Sequence, residues 1–336
     1  MRNRSAPDPV EKPTPCHPYT PSQGTLDSQP DPAALRVVVG GASGLIGSEL
    51  IPFLSRGGHR VQQLVRRSPA AGTEIPWYPE RGEIDAARLQ GADAIIHLGG
   101  ASIAAGRWTA ARKALLRDSR VVSTRLLSET LARLQPPPKA FLCASAIGYY
   151  GDRGDELLDE TSPPGRGFLP EVCVEWEAAT EPARRAGLRV VNLRSGVVLS
   201  PKGGVLGQVL TPFRSGLGGV VGSGRQYMSW IGLADVLGVI QFLLSRDDIA
   251  GPVNVVAPQP VTNREFTKTL GRVLRRPTLV PLPASAVELL MGQMGRELLL
   301  AGCRVQPRVL QQAGFEFCAP RLEDALRREL RLGTAP

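Results

Sequence analysis

A glycine-rich turn is the first feature of this sequence with the residue types and spacing for ligand chemistry. It lies between an apolar segment at residues 35–39 and a segment of helical spacing that begins at residue 45. Main-chain N–H groups at such a turn, with the positive end of the following helix, bind a pyrophosphate. Gly41 permits the tight turn, Gly44 the approach of backbone to phosphate and Gly47 the packing of helix on strand. The pattern predicts a dinucleotide site, and a turn without chemical use is the alternative.

The residues after the second predicted strand, 59–65, indicate which dinucleotide binds. Enzymes that use NAD place an acidic residue there, on the ribose hydroxyls. This chain instead has Arg66 and Arg67, and the next acidic residue is Glu74. Planar guanidinium groups match a 2′-phosphate in charge and geometry, so the pair favours NADP as the cofactor. A solvated basic turn is the alternative.

A second turn of small residues ends a later apolar strand, and it consists of Leu98, Gly99, Gly100 and Ala101. Ligands of doubly wound sheets bind at the carboxyl ends of the strands. Small side chains at this turn therefore predict that a ribose or nicotinamide lies close to it. Simple termination of the strand is the alternative.

These turns belong to an alternation of strands and helices. Apolar runs predict strands at residues 35–39, 59–65, 93–98, 140–144, 188–193 and 253–256. Helical spacing predicts helices at residues 45–56, 109–134, 170–186, 233–244, 262–275 and 323–332. Thr262 and Glu265 predict a capping box at the start of one of these helices. The order predicts an α/β fold with a Rossmann-type doubly wound parallel sheet, a smaller substrate lobe and a helical appendage.

The composition along the chain predicts four regions. Residues 1–34 are rich in proline and predict a disordered tail. Residues 35–202 are the expected NADP-binding Rossmann domain, with the sheet completed by residues 250–280. Residues 203–249 are expected to supply substrate-lobe elements, and residues 281–336 a small helical C-terminal region.

Composition also excludes several functional classes. The chain has 336 residues, of which 42% are hydrophobic and 21% charged, as in ordinary globular proteins. Five scattered cysteines and three histidines argue against a disulfide framework or a metal site and favour a cytoplasmic protein. The net charge of +9 attracts anions, but no motif for reading nucleic acid accompanies it. We expect neither a nucleic-acid partner nor a membrane partner.

Further motifs resemble the extended short-chain dehydrogenase/reductase superfamily, and within it an atypical branch of NAD(P)-dependent epimerase-family proteins with their own C-terminal domain. Besides the two turns, the motifs are Ser145-Ala146-Ile147-Gly148-Tyr149-Tyr150-Gly151, Trp176-Glu177, Leu193-Arg194-Ser195-Gly196-Val197-Val198-Leu199, and Pro212-Phe213 to Gly224. The resemblance covers residues 35–332. It implies a Rossmann-type oxidoreductase or epimerase that binds NADP(H).

The resemblance also implies further cofactor contacts at matching positions. These are Ser43, Leu45 and Ile46 in the first turn, Val65 with Arg66 and Arg67 after the second strand, Leu98 and Gly99 in the second turn, Arg120, and Val198. Arg120 would place a cation one helix away from the cofactor's phosphates. A solvated helical arginine is the alternative.

Catalysis in the superfamily requires a Tyr acid, a Lys four residues later that lowers its pKa, and a Ser that orients the substrate. Leu169 and Cys173 stand at the Tyr and Lys positions here, so the pair is absent. Ser145 matches the Ser. Tyr149 and Tyr150 are the candidate catalytic tyrosines, with Arg153 four residues after Tyr149, and packing or substrate lining is their alternative role.

The predicted function is hydride transfer between NADPH and an unidentified carbonyl or nucleotide-sugar-like substrate. The substrate would lie over Ser145, Tyr149, Tyr150 and the lobe at residues 216–230. A catalytically silent NADP(H)-binding regulator is the alternative, and epimerisation with tightly held nucleotide is a third interpretation. The expected partner is a small molecule, with a homodimer as the assembly considered.

Overall fold

The protein is described by a computed structural model over residues 34–332. Apart from Ala34, the predicted tail lies outside the described residues. The strands of the described part are β1 (Arg36–Gly40), β2 (Arg60–Val65), β3 (Glu74–Tyr78), β4 (Glu83–Ile84), β5 (Ala94–His97), β6 (Ala140–Ala146), β7 (Leu157–Leu158), β8 (Arg189–Ser195), β9 (Val197–Leu199), β10 (Tyr227–Met228), β11 (Trp230–Gly232), β12 (Gly251–Val255), β13 (Val261–Thr262) and β14 (Arg304–Val305).

Helices surround these strands, and the described residues also include a π-helical turn at Arg296–Leu300 and a 3₁₀ turn at Ile147–Tyr150. The α-helices of residues 34–332 are α1 (Gly47–Arg56), α2 (Ala110–Leu131), α3 (Phe168–Ala178), α4 (Glu181–Arg185), α5 (Gly204–Arg214), α6 (Leu233–Leu244), α7 (Asn263–Leu274), α8 (Ala284–Met291), α9 (Gln293–Gly295), α10 (Arg308–Gln312) and α11 (Leu322–Glu329). Not one of these helices has the length and apolar character needed to cross a membrane.

The main sheet has eight strands in the order β12-β8-β6-β5-β1-β2-β3-β4. Its neighbouring strands are parallel, except that β4 runs antiparallel to β3. Gly40, at the end of β1, is level with Leu64 of β2 and His97 of β5. The carboxyl ends of the three central strands therefore lie side by side, as the predicted Rossmann-type fold requires.

Helices cover both faces of the sheet. Val37 and Val39 of β1 are fully buried on one face, in the same apolar cluster as residues of α1 and α6. Val38 points to the other face, where it packs in a cluster that includes Leu127 and Leu131 of α2. Successive side chains of β1 thus point to opposite faces that are both buried, which explains why the strand is continuously apolar. Burial of each such side chain contributes about 1.5–3 kcal/mol.

The structure contains elements that the sequence-based prediction lacks, among them β3, β9, β10, β11 and α5, and it divides one predicted helix into two. β3 was not expected, because Glu74 and Pro76 interrupt its short apolar run and proline cannot donate to a sheet ladder. The single helix predicted at residues 170–186 is instead two helices, α3 and α4. Pro182 lies at the start of α4, where a residue without an N–H is tolerated.

Two carboxylates, one buried at Asp235 and one half-buried at Glu329, attach the C-terminal region to α6. Asp235 accepts hydrogen bonds from the main-chain N–H groups of Cys318, at 2.7 Å, and Ala319, at 3.3 Å. Glu329 accepts one from the N–H of Leu233 at 2.9 Å. Burial raises the pKa of both carboxyl groups. The segment before α11 is therefore held by hydrogen bonds as well as by apolar packing.

Replacing Asp235 with alanine should destabilise the protein by about 2 kcal/mol, because two N–H groups lose their acceptor in a buried place. Urea unfolding measures this change. Asp118→Ala, at an exposed position on α2, is the matched control and should change stability by less than about 0.5 kcal/mol. Equal effects of the two substitutions would contradict the role given to Asp235.

Candidate functional site

The turn between β1 and α1 is closed by contacts that only glycine permits. Gly41 has a φ of +79°, a conformation that other residues rarely adopt. Its carbonyl accepts a hydrogen bond from the Gly44 N–H at 3.0 Å. A Cβ at Gly47 would lie 2.3 Å from the same carbonyl oxygen. The turn therefore folds tightly back on the start of α1.

Main-chain donors remain available in this turn. Within residues 34–332, no hydrogen bond uses the N–H groups of Ser43, Leu45 or Ile46, and Ile46, the N-cap residue of α1, provides no side-chain cap. Unused N–H groups at a helix start attract an anion. The Leu45 side chain lies beside the start of α5, 3.4 Å from where a Gly203 Cβ would be.

Val198 lies near the same end of α5. Its carbonyl oxygen is 3.3 Å from where a Cβ of Gly204 would be, and the Leu45 side chain is 3.6 Å from that point. The structure thus brings Leu45 and Val198, which are far apart in the sequence, to the two sides of one glycine pair.

The second turn lies directly against the first. The Leu98 N–H donates to the Gly40 carbonyl at 2.8 Å, and a Cβ at Gly41 would be 2.6 Å from the Leu98 carbonyl carbon. His97 is fully buried beneath both turns, 2.7 Å from where a Gly99 Cβ would be. Burial lowers the pKa of His97 to about 4, so the imidazole is neutral at physiological pH.

Arg120 of α2 is half-buried beside this turn and not extended into solvent. Its guanidinium donates to the carbonyl oxygens of Leu116, at 2.8 Å, and Ala101, at 3.0 Å. It lies 5.1 Å from the ring centre of Trp176 and 3.1 Å from where a Gly100 Cβ would be. Among the described residues no carboxylate pairs with it, and burial lowers its pKa. The site therefore contains an uncompensated cation.

At the end of β2, two adjacent arginines have different environments. Arg66 is exposed and forms no ion pair with any residue that the structure describes. Arg67 forms two hydrogen bonds with Glu74, at 2.6 and 2.9 Å. Val65 is half-buried and pairs with Pro76 of β3. The two arginines predicted to act together are thus not equivalent.

Ser145, at the end of β6, belongs to a buried polar network. Its hydroxyl donates to Glu177 at 2.6 Å, and Arg194 donates to both oxygens of Glu177 at 2.8 Å. Arg194 also donates to the Tyr150 hydroxyl at 3.0 Å, and that hydroxyl donates to Asn254 at 2.7 Å. The network joins β6, the 3₁₀ turn, α3, β8 and β12.

Tyr150 has no exposed surface, and burial raises its pKa to about 12. Its hydroxyl both donates and accepts inside the network. This position does not fit the predicted contact of Tyr150 with a substrate, because the hydroxyl is enclosed and already hydrogen-bonded. Ser145 is also buried, and its proton is directed to Glu177.

Tyr149 differs from its neighbour. It is only half-buried, and its hydroxyl has no hydrogen bond with any described residue. Arg153, four residues after Tyr149, does not pair with it and instead bonds Glu156 at 2.6 and 2.8 Å. The cation that faces the Tyr149 ring is Arg194, whose guanidinium carbon lies 3.5 Å from the ring centre.

The two residues at the start of α3 that match the family's Tyr and Lys positions supply no general acid. Leu169 and Cys173 face the turn, 3.4 and 3.7 Å from where a Gly148 Cβ would be. Cys173 is buried, and burial raises the pKa of its thiol to about 12. The thiol therefore stays protonated and inert at neutral pH.

The sequence of this chain matches two known protein families. Residues 37–256 match the family described as the NAD dependent epimerase/dehydratase family. The chain belongs to this family. Residues 282–329 match a second family, described as a domain of unknown function, DUF1731. Family membership confirms the resemblance drawn from the motifs, including the branch with its own C-terminal region.

Several members of the family resemble the chain over nearly its whole described length. Epimerase family protein Mb2239 of Mycobacterium bovis is 46% identical over 290 residues, or 86% of this chain and 96% of the relative. Human epimerase family protein SDR39U1 is 37% identical over 298 residues, or 87% and 99%. A crystal structure of human SDR39U1 (isoform 2) with NADPH has a TM-score of 0.82 at 34% identity, covering 88% of this chain and 99% of that one.

Sequence reasoning did not assign roles to Glu177, Arg194, Glu74 or Asn254. Glu177 and Arg194 lie in motifs that carry the family resemblance, but the motifs alone do not indicate that the two side chains form an ion pair. Glu74 lies seven residues after Arg67, a spacing that gives no local indication of their ion pair. Nothing in the local sequence singles out Asn254, because its partners Tyr150 and Gln306 are far from it along the chain.

Arg194→Met should destabilise the protein by about 3 kcal/mol, because it leaves the Glu177 carboxylate buried without its partner. Chemical denaturation measures the change. Arg184→Met removes a partly exposed pair with Glu181 and should change stability by less than about 1 kcal/mol. Adding Glu177→Gln to Arg194→Met should restore part of the lost stability. Similar losses of stability in Arg194→Met and Arg184→Met would contradict the role given to the Arg194–Glu177 pair.

Proposed function

We propose that this protein binds NADPH across the carboxyl ends of β1, β2 and β5 and transfers hydride to a small carbonyl or sugar-like substrate. The observation that carries the proposal is the glycine turn, which presents unused N–H groups beside two cations without carboxylate partners, Arg66 and Arg120. The human relative crystallised with NADPH supports the choice of cofactor.

The residues present fit this cofactor. The N–H groups of Ser43, Leu45 and Ile46 would hold the pyrophosphate at the start of α1. Arg66 would read the 2′-phosphate, whose two negative charges a planar guanidinium matches. Gly99 and Gly100 would leave room for the nicotinamide side of the molecule, and Arg120 would supply positive charge near the phosphates.

When bound, NADPH supplies a hydride from C4 of its nicotinamide. The carbonyl oxygen of the substrate then needs a proton, and the Tyr149 hydroxyl is the candidate donor because its proton is not already engaged. Ser145 and Tyr150 would act as positioning residues through the network with Glu177 and Arg194. The half-buried place of Tyr149 allows it to touch a ligand.

A catalytically silent NADP(H)-binding protein is the second candidate. It is favoured by Leu169 and Cys173, which replace the family's acid and its cation with groups that transfer no proton at neutral pH. It is also favoured by the engaged hydroxyls of Ser145 and Tyr150. In this function the bound cofactor would be a signal and no substrate would be turned over.

Transfer of isotopic label separates the two functions. NADPH carrying deuterium at C4, prepared in both the 4R and 4S forms, is incubated with the protein and a set of carbonyl compounds and nucleotide sugars. Hydride transfer predicts label in one product, from one of the two forms only, detected by mass spectrometry. If neither form loses deuterium while NADPH binds, the silent function replaces the proposal.

Tyr149→Phe should reduce label transfer at least about tenfold, since general acids contribute factors of this size or larger. NADPH affinity should be unchanged, because the variant loses only the hydroxyl. Tyr78→Phe, on β3, is the control and should leave transfer unchanged. Transfer at the native rate in Tyr149→Phe would remove Tyr149 from the mechanism.

Thermal unfolding with NADPH and with NADH tests the cofactor preference. Ligand at a hundred times its Kd adds about 2.7 kcal/mol of stability, so the preferred nucleotide raises Tm more at equal concentration. We expect the larger shift with NADPH, and its reversal in Arg66→Glu. Arg60→Glu makes the same charge change at the amino end of β2 and should retain the preference. If Arg66→Glu also retains it, another residue reads the phosphate.

A further inference from the structure

Glu74, on β3, is the first acidic residue along the chain after β2. It pairs in register with Gln63 of β2, and Arg67, two residues after that strand, reaches it by side-chain hydrogen bonds. Its side chain is only 11% exposed, whereas that of its partner Arg67 is 56% exposed. In this ion pair the carboxylate is largely buried and the guanidinium is largely exposed to solvent.

Both carboxylate oxygens of Glu74 accept hydrogen bonds from within the protein. One oxygen accepts from Arg67 Nη2 at 2.6 Å. The other accepts from Arg67 Nη1 at 2.9 Å and from the Ala70 N–H at 2.6 Å. Arg67 lowers the pKa of the Glu74 carboxyl, so the group is ionised at neutral pH. These bonds close residues 67–74 into a loop with Glu74 at its base.

These hydrogen bonds determine whether Glu74 can also bind the ribose of a nucleotide. A carboxylate that accepts from ribose hydroxyls needs free oxygens, as in NAD-binding proteins. Glu74 has three donors already, and its negative charge is compensated by a guanidinium in a two-bond arrangement. It is therefore not placed to act as a ribose acceptor, and its influence on a ligand operates through Arg67.

Arg66 is the contrasting case. It is exposed, and no residue from 34 to 332 forms an ion pair with it. Two adjacent guanidinium groups thus differ in effective charge, since one is neutralised by its own carboxylate and the other keeps its full charge. A phosphate at this strand end interacts mainly with the uncompensated cation.

We propose that Glu74 is a specificity-determining residue of the nucleotide site: by holding Arg67 in an ion pair, it leaves Arg66 as the single cation that reads the 2′-phosphate of NADPH. This rests on the proposed binding of NADPH. Glu74 thereby limits the affinity for the phosphorylated nucleotide, because release of Arg67 would add a second guanidinium within reach of the same phosphate.

Equilibrium binding of NADPH and of NADH tests the proposal on full-length protein, with calorimetry as the readout, so no substrate is needed. The variants are Arg66→Gln, Arg67→Gln, Glu74→Gln and the double variant Glu74→Gln/Arg67→Gln. Thermal unfolding of each reports whether it folds. The ratio of NADH Kd to NADPH Kd is compared at low and physiological salt, because exposed charge contacts weaken with ionic strength.

We expect Arg66→Gln to lower this ratio at least tenfold and Arg67→Gln to change it less than threefold. Glu74→Gln should raise it at least threefold, steepen its salt dependence and leave NADH affinity unchanged. Removing Arg67 from Glu74→Gln should abolish that gain. The two arginine variants alter exposed side chains, so equal losses in them would overturn the proposal even if Glu74→Gln fails to fold.

Equal losses in Arg66→Gln and Arg67→Gln would overturn the proposal, because Arg67 would then read the phosphate while paired. A ratio unaffected by Glu74→Gln in folded protein would overturn it as well. Native protein that binds NADPH no better than NADH would instead contradict the phosphate-reading part of the proposed function, and this proposal with it. The native ratio and the variant ratios therefore separate the two failures.

Discussion

Two stretches of main chain meet at the carboxyl ends of β1 and β5 with no side chain between them. A Cβ at Gly41 would lie 2.6 Å from the Leu98 carbonyl carbon, and one at Gly47 would lie 2.3 Å from the Gly41 carbonyl oxygen. Real side chains do not tolerate such distances. The approach closes the turn before α1, in which the N–H groups of Ser43, Leu45 and Ile46 have no acceptor among the described residues. The rest of the site is arranged around this contact: Arg66 follows the neighbouring strand, and Arg120 flanks the second turn.

A buried network of charge and hydroxyl groups lies on the other side of the sheet centre. The Arg194–Glu177 pair links Ser145 to Tyr150 through hydrogen bonds of 2.6 to 3.0 Å. Breaking a buried pair is far more unfavourable than forming it is favourable, so such a network fixes a conformation more than it adds stability. In this family member it holds the 3₁₀ turn that presents Tyr149. Rigid support of that turn serves a catalytic protein and a silent nucleotide binder equally.

The parts of the fold that sequence could predict are those set by neighbouring residues. α6 begins and ends where its apolar spacing predicts, and Thr262 and Glu265 form the predicted capping box. The tight turn at Gly41 follows from glycine's freedom at positive φ. These features depend on few residues and on local backbone geometry, so the sequence contains the information directly.

Pairings across the fold were not predictable in the same way. The sequence offers Arg153, four residues after Tyr149, as a neighbouring cation. In the structure Arg153 bonds Glu156, and β8 brings Arg194 over the Tyr149 ring from 45 residues away along the chain. The Arg67–Glu74 pair depends on β3, whose proline concealed the strand. Predicting such contacts requires the order and register of the strands, whereas local sequence patterns predict only the fold class.

A crystal structure of this protein with NADPH bound tests the central claim most directly. The account predicts the pyrophosphate within hydrogen-bond distance of the N–H groups of Ser43, Leu45 and Ile46, and the 2′-phosphate on Arg66, with Arg67 still paired to Glu74. Nucleotide bound elsewhere, or a pyrophosphate held by side chains away from the β1–α1 turn, would contradict it.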